Sequence, residues 1–283
     1  MGHLDHAAYG WLTPVLSYVM ACIGAALGLR CTVCALAATT GSSRRNWLLT
    51  AASAIGTGIW TMHFVAMLGF DVTGTEIHYN VPLTVLSLLG AMLVVGAGVF
   101  AVGYGRARGR SLVLGGLTTG LGVASMHYLG MAALRLHGSV SYDPLMVGLS
   151  VVIAVVAATA ALWAALNIKS PVAVTVASLV MGAAVSSMHY TGMLAVAVRV
   201  VPSEQALPGA TAMQFIFPLA VGLGSYLFIT SAFVALSPTA DERAASASAS
   251  ASASASASAS ASAARHLGGG QAAAPVAPSA PAR

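Results

Sequence analysis

Seven segments of the chain are long and apolar enough to cross a lipid bilayer. They cover approximately residues 12–36, 47–69, 82–104, 111–134, 145–166, 171–198 and 212–236. A helix needs about 20 largely apolar residues to cross about 30 Å of hydrocarbon. Charged residues make up only 7% of the chain, whereas an ordinary soluble domain has about 25%. The sequence therefore predicts an all-α integral membrane protein with seven transmembrane helices, and it excludes a soluble globule.

Basic residues are unevenly distributed among the loops that connect these segments. The first, third and fifth loops carry Arg44, Arg45, Arg106, Arg108, Arg110 and Lys169. The alternate loops carry only Arg135 and Arg199, and with the N-terminal segment they hold five of the seven acidic residues. Because basic loops stay in the cytoplasm, we expect a multi-pass plasma-membrane protein with its N-terminus outside and its C-terminus in the cytoplasm. The net charge of +5 reflects this bias and indicates no nucleic-acid partner.

Three of the predicted helices carry the same short motif in the same register. Met62-His63-Phe64 returns as Met126-His127-Tyr128 and as Met188-His189-Tyr190, and a second methionine follows each first one by five positions, at Met67, Met131 and Met193. A repeat with a fixed period is the signature of a repeated structural unit. The sequence therefore predicts three helix-hairpin repeats plus one extra span.

The motif places imidazole and thioether groups at one level of the membrane. Each histidine shares a helix face with the methionine four residues later, and the methionine before each histidine lies about 100° further round the helix. If the three motif helices adjoin, their side chains meet near the outer surface. The candidate metal ligands are His63, His127, His189, Met62, Met67, Met126, Met131, Met188 and Met193.

The residue types of this set favour copper. Ionisable groups inside a membrane are costly unless they are paired, so they indicate function by default. Soft sulfur ligands favour Cu(I), and imidazole accepts several metals. The spans hold no carboxylate beside these groups, which argues against magnesium, calcium, manganese and carboxylate-bridged iron. Haem bound through histidine is the weaker alternative. In the simplest interpretation the histidines are only hydrogen-bonded and the methionines only fill the core.

Catalysis finds little support in the chain. No serine–histidine–acid set, glycine-rich phosphate loop or carboxylate pair occurs at a usable spacing, so we expect no enzyme. A copper-binding or transport protein could use the same ligands. Transport predicts a polar path towards the cytoplasm, and the inner halves of spans two, four and six offer little beyond Thr50, Ser53, Thr57, Thr118, Thr119, Thr175 and Ser178.

Residues 11–201 resemble the MHYT-domain family of bacterial integral-membrane sensor proteins. Met188-His189-Tyr190-Thr191 spells the tetrapeptide of that family, and the other two copies, which begin at Met62 and Met126, are near variants. The resemblance implies a sensor domain over 11–201, in which the motif residues coordinate copper and thereby sense oxygen, carbon monoxide or nitric oxide. Residues 202–238 would then form an outer loop and a seventh transmembrane helix.

The chain beyond residue 238 changes abruptly in composition. An alternation of alanine and serine runs from about residue 245 to residue 263, and an alanine- and proline-rich end follows. Such a segment cannot bury a core, so residues 239–283 are predicted to be a disordered cytoplasmic tail. The better-known members of the family carry a cytoplasmic output module, commonly a cyclic-di-GMP synthase or hydrolase pair or a DNA-binding domain. We therefore expect this chain to signal through a separate cytoplasmic partner.

Overall fold

A computed structural model of the chain describes residues 4–5, 10–105, 108–167, 170–203, 205–236, 248–257 and 260. Within these ranges seven helices are long and apolar enough to span a membrane. They are α1 (Leu12–Ala37), α2 (Gly41–Leu68), α3 (Val81–Tyr104), α4 (Arg108–Ala132), α5 (Pro144–Asn167), α6 (Pro171–Leu194) and α7 (Phe217–Leu236). A π-helical turn over Ala212–Ile216 leads into α7. The predicted seven-span helical architecture is confirmed.

Side-chain caps fix where several of these helices begin. The backbone N–H of Leu83 donates to the Asn80 side chain at 3.0 Å at the start of α3. Asp143 accepts from the first turn of α5 in the same way. Thr40 caps α2, which therefore begins six residues earlier than expected. A cap satisfies an N–H group that has no partner within the helix.

Within the described residues, seven short strands lie at the end of the bundle where the motif helices terminate. They are β1 (Leu4–Asp5), β2 (Asp71–Val72), β3 (His78–Tyr79), β4 (Leu134–Arg135), β5 (Gly138–Tyr142), β6 (Val196–Val200) and β7 (Ala210–Thr211). They form three small antiparallel sheets, ordered β1-β2, β4-β3-β7 and β5-β6. We call this layer the cap. The sequence prediction missed it, and α6 accordingly ends at Leu194 rather than at residue 198, because the chain turns there into β6.

Six of the helices form a closed ring. Each of α1 to α6 packs against the next in chain order, and α6 packs back against α1. The motif helices α2, α4 and α6 also contact one another. Helix α2 lies deepest, with 83% of its apolar stretch buried, whereas α7 has only 17% buried. Helix α7 is therefore the extra span; its Tyr226 hydroxyl lies 2.6 Å from the Ser53 hydroxyl of α2.

Glycines bring α1 and α2 into close contact. A Cβ atom added to Gly24 would lie 2.7 Å from the Cα atom of Gly58, and the reverse also holds. Gly28, one turn further along α1, packs directly against Ile55. Small residues at this spacing let two membrane helices approach closely. Gly24 and Gly28 thus let α1 and α2 pack closely together.

The C-terminal region forms a second compact unit that begins at Leu236. Its described residues, 248–257 and 260, are helical and exposed. Alanine has the highest helix propensity of any residue, which accounts for a helix in a segment that buries no core. The rest of the predicted disordered tail lies outside the described residues, as do Arg106 and Lys169 of the basic loops and Glu204, an acidic residue of an alternate loop.

Candidate metal centre

The three motif histidines meet at the centre of the helix ring. His63 of α2, His127 of α4 and His189 of α6 expose 1%, 0% and 1% of their surface. The distance from the Nδ1 atom of His63 is 3.0 Å to that of His189 and 3.1 Å to that of His127, and the remaining Nδ1 pair is 3.3 Å apart. The sequence predicted that these imidazoles meet at one level if the motif helices adjoin, and the structure brings them together.

The three Nδ1 atoms match the dimensions of a metal site. The point equidistant from all three in their plane is about 1.8 Å from each, slightly less than the 2.0–2.1 Å of a typical zinc–imidazole bond. Among the described residues, these histidines are the one group of three or more histidine, cysteine or acidic side chains whose ligand atoms lie close enough together to hold an ion. The three histidines can therefore bind a metal ion.

Hydrogen bonding satisfies only part of this cluster. All three Nδ1 pairs are within hydrogen-bond geometry, and the ring planes lie at 76° to 88° to one another. A neutral imidazole carries a proton on one nitrogen only, so a ring that donates through Nδ1 has no proton on Nε2. If the protons sit on Nε2 instead, three lone pairs converge at the centre. Among the described residues the buried Nε2 atoms of His63 and His127 have no hydrogen-bond partner. A cation held by the three Nδ1 atoms would remove the repulsion between the lone pairs.

The aromatic residue of each motif copy packs against its own histidine. The ring centroids of His63 and Phe64 are 4.6 Å apart, those of His127 and Tyr128 are 4.8 Å apart, and those of His189 and Tyr190 are 4.9 Å apart. All three contacts are edge-to-face, at 77° to 82°. Aromatic rings favour this geometry. The residue after each histidine therefore holds the imidazole in one orientation, which gives the recurring aromatic position a physical role.

Buried serines of the neighbouring helices anchor these aromatic residues. Ser150 of α5 donates to the Val147 carbonyl, so its oxygen accepts from the Tyr128 hydroxyl at 2.6 Å. In the first repeat the aromatic residue is Phe64, which has no hydroxyl. There the indole N–H of Trp60 donates to Ser87 of α3 at 2.9 Å.

The third repeat has the same elements without the completed bond. Ser17 of α1 is buried and donates to the Pro14 carbonyl. The Tyr190 hydroxyl faces Ser17, but within the described part of the chain it makes no hydrogen bond. The sequence prediction did not find these serines. A usable signal is present in two repeats, where Ser87 and Ser150 each follow the helix-capping residue by seven positions.

Two glycines lie directly behind the imidazoles. A Cβ atom on Gly130 would lie 2.5 Å from Nε2 of His63, and one on Gly192 would lie 2.5 Å from Nε2 of His127. In the structure each leaves room for the histidine of the preceding repeat, so the three repeats interlock around the centre.

The six candidate methionine ligands are all buried. Met62, Met67, Met126, Met131, Met188 and Met193 each expose 2% of their surface or less. Met67, Met131 and Met193 lie one helical turn from the histidines on the side of the cap. They form a thioether layer between the cap and the imidazoles. Their role as ligands is a prediction that we carry into the proposed function.

Two other histidines of the described residues belong to the cap or its edge. His78 lies in β3, where Nδ1 is 3.1 Å from the Leu207 carbonyl and Nε2 is 3.5 Å from the Glu76 carboxylate. His137 precedes β5, and its backbone N–H donates to the Thr75 hydroxyl. His3 and His6 lie outside the described residues. Tyr79 of the cap is buried above Phe64, and burial raises the pKa of its phenol.

Comparison with known proteins points to bacterial signalling. Residues 56–116 and 120–178 match a family model described as MHYT, bacterial signalling protein N terminal repeat. The bifunctional diguanylate cyclase/cyclic di-GMP phosphodiesterase MucR of Pseudomonas aeruginosa is 47% identical over 163 residues, which are 55% of this chain and 23% of MucR. The cyclic di-GMP phosphodiesterase NbdA of the same organism is 34% identical over 70% of this chain and 26% of its own length. The signaling protein YkoW of Bacillus subtilis is 28% identical over 84% of this chain and 30% of its own length.

The matched part of each relative is thus a minor portion of that protein, between 23% and 30% of its length. No solved structure matches the chain. Both family matches fall within the helix ring, and they contain His63 and His127, two of the three histidines at its centre. The seven spans, the triplicated motif and these matches agree. The chain belongs to the MHYT family of bacterial integral-membrane signalling proteins.

Proposed function

We propose that the protein is a membrane sensor that binds copper through His63, His127 and His189. It responds to a diatomic gas (oxygen, carbon monoxide or nitric oxide) or to redox state, and it signals through a separate cytoplasmic partner. The observation that carries the proposal is the convergence of three buried Nδ1 atoms within 3.3 Å of one another. A buried polar cluster of this kind in a membrane is costly unless it has a ligand or a partner.

Copper is the metal that best suits the surroundings of the site. Imidazole and thioether groups favour it, and carboxylate ligands, which harder ions prefer, are not part of the cluster. The methionines on the cap side supply soft donors beside the imidazoles. When bound, the ion supplies a redox-active centre that can bind a small gas. The protein orients the imidazoles through the aromatic contacts and excludes water from the centre.

The cap is proposed to face the outside of the cell. The N-terminal strand β1 pairs with β2 at this end of the bundle, and Arg44 and Arg45 lie near the other end, at the start of α2. Basic loops stay in the cytoplasm.

Labelling with a membrane-impermeant thiol reagent tests this orientation. Ser139→Cys in β5 and Ser42→Cys at the start of α2 are introduced into a variant without native cysteines. The proposal requires labelling of intact cells at position 139 only.

The names of the relatives indicate the pathway in which the signal acts. MucR and NbdA are named for the synthesis or hydrolysis of cyclic di-GMP, and the chain covers only about a quarter of each. We infer that this chain is the membrane-sensing part of such a system and that its signal controls an enzyme of cyclic di-GMP metabolism. It has no catalytic role of its own in the proposal.

Metal transport by the same ligands is less well supported. An ion that crosses the membrane needs polar groups along its whole path. On the side of the histidines away from the cap, the centre of the ring contains a cavity lined almost entirely by apolar side chains, with Thr119 as its single hydroxyl-bearing residue. This observation favours a site that holds an ion over one that passes it on.

Gas-dependent spectra of copper-loaded protein test the sensing proposal. The Cu(I) form is exposed to carbon monoxide, nitric oxide or oxygen, and the infrared and visible spectra are compared with those of a His127→Ala variant. The proposal requires a new carbonyl or nitrosyl band, or oxidation by oxygen, that depends on His127. Spectra that no gas changes, in protein that retains its copper, would refute sensing while leaving metal binding intact.

A further inference from the structure

An apolar cavity lies on the axis of the bundle directly beneath the three histidines. Its volume is about 50 Å³. Ile59, Val123 and Val185 line it, and each lies one helical turn, four residues, before the histidine of its own helix. A second layer one turn further down consists of Ile55, Thr119 and Met181. The cavity and the imidazoles therefore occupy successive levels on the same face of α2, α4 and α6.

The cavity also adjoins the histidine level itself. Met188, the residue immediately before His189, is part of its lining. A small molecule in the cavity is thus separated from the histidines by side chains of the motif helices, and not by another helix. The remaining lining comes from α3 and α5.

The chemistry of the lining selects for an apolar occupant. A buried water needs two to four polar partners, and an apolar cavity stays dry and takes up apolar guests such as xenon. Among the described residues the buried Thr119 hydroxyl has no hydrogen-bond partner, and one hydroxyl cannot hold a water alone. A small apolar molecule fits this environment.

Access from the cap and access from the bilayer differ sharply. On the cap side, Met67, Met131 and Met193 expose 2% of their surface and Tyr79 exposes 1%. On the opposite side the cavity wall includes Ala157 and Ala161 of α5 and Met181 of α6, and all three are only partly buried. Alanine side chains make this wall thin. The easier route into the cavity therefore runs between α5 and α6, from the lipid.

We propose that this cavity is a binding site for an apolar diatomic gas, which reaches the three histidines from the bilayer between α5 and α6. The identity of the ligand rests on the proposed sensing function, whereas the cavity and its route do not. Apolar gases are more soluble in hydrocarbon than in water, so their concentration is higher in the bilayer, where this route begins. The methionine layer then lies on the cap side of the three histidines, and the gas cavity lies on their opposite side.

Xenon binding to metal-free protein tests the cavity by itself. Parent protein in detergent is titrated with xenon and followed by xenon NMR, alongside Ala158→Leu, which fills the cavity wall, and Ala160→Leu, which adds the same side chain on the exposed face of α5. The proposal requires saturable xenon binding in the parent and in Ala160→Leu, and its loss in Ala158→Leu. Absence of saturable binding in the parent would overturn the proposal without any reference to a variant.

The route is tested on the copper-loaded protein by the rate of carbon monoxide rebinding after flash photolysis. Filling the wall at position 158 should slow rebinding about tenfold or more, because overpacked side chains must move before the gas passes, whereas Ala160→Leu should rebind at the parent rate. Parent-like rebinding in Ala158→Leu with full copper content would overturn the route. If the protein binds no copper, the proposed function fails, and the xenon titration still decides whether the cavity takes an apolar guest.

Discussion

Replacing Gly130 by alanine should weaken metal binding without unfolding the protein. The new Cβ atom would lie 2.5 Å from Nε2 and 3.1 Å from Cδ2 of His63, and 3.3 Å from Cζ of Phe64. Ordinary contacts of this kind are about 3.5–4.0 Å, so the imidazole must move by about 1 Å. The Phe64 ring packs against the imidazole and limits that movement.

The size of the effect follows from the spacing of the ligand atoms. The Nδ1 atom of His63 is 3.0 Å and 3.1 Å from its two counterparts, and a shift of about 1 Å removes it from bonding distance to a shared ion. Changes next to metal ligands typically cost 10–100-fold in metal affinity, and we expect a loss in this range. Stability should change little, because alanine gains about 1 kcal/mol over glycine in a helix and overpacking costs about 1–3 kcal/mol.

The assay is copper affinity measured by competition with a Cu(I) chelator, with the thermal transition recorded in parallel. Gly148→Ala is the matched control, because a Cβ atom there meets nothing within 4 Å. It should bind copper as the parent does. If Gly130→Ala binds copper with the parent's affinity, the reasoning that His63 is a ligand and needs the space that this glycine leaves would be refuted.

Three further outcomes follow from the structure. A double-mutant cycle of Trp60→Phe and Ser87→Ala, read by unfolding in detergent, should give a coupling energy of about 0.5–1.5 kcal/mol; a value near zero would contradict the hydrogen bond. Gly24→Ala should lower the free energy of unfolding by about 1–3 kcal/mol through overpacking against α2, whereas Gly90→Ala, in open space, should not. Truncation of residues 239–283 should leave copper content and the thermal transition unchanged, and a loss of either would show that the tail supports the sensor unit.

The transmembrane helices and the histidine cluster could be predicted from the sequence because both depend on regular patterns of residues along the chain. An apolar stretch of membrane length predicts a helix, and the four-residue spacing of His63 and Met67 predicts a common face. The triplication then points to one shared centre, since three copies in register need a common neighbour. The predicted ends of the helices differ from the structure mainly where a cap such as Thr40 starts a helix early.

The cap and the details behind the histidines were beyond the sequence for a physical reason. The strands have two to five residues, and their partners are distant in the chain, as in the pairing of Gly138 with Val200. Such strands have no local pattern of their own. The donor to Ser87 could not be predicted either. Phe64 has no hydroxyl, and Trp60, at a different position of the same helix, donates to Ser87 instead. The cavity depends on the space that five helices, α2 to α6, leave unfilled together, which no single helix reveals.

The most direct measurement is the metal content of the purified protein. Protein from copper-replete cells is analysed beside a variant with His63, His127 and His189 all changed to alanine, and beside His137→Ala as a control on the cap. The account predicts one copper per chain in the parent and in the control, and none in the triple variant. A parent protein without metal, or a folded triple variant that retains its copper, would contradict it.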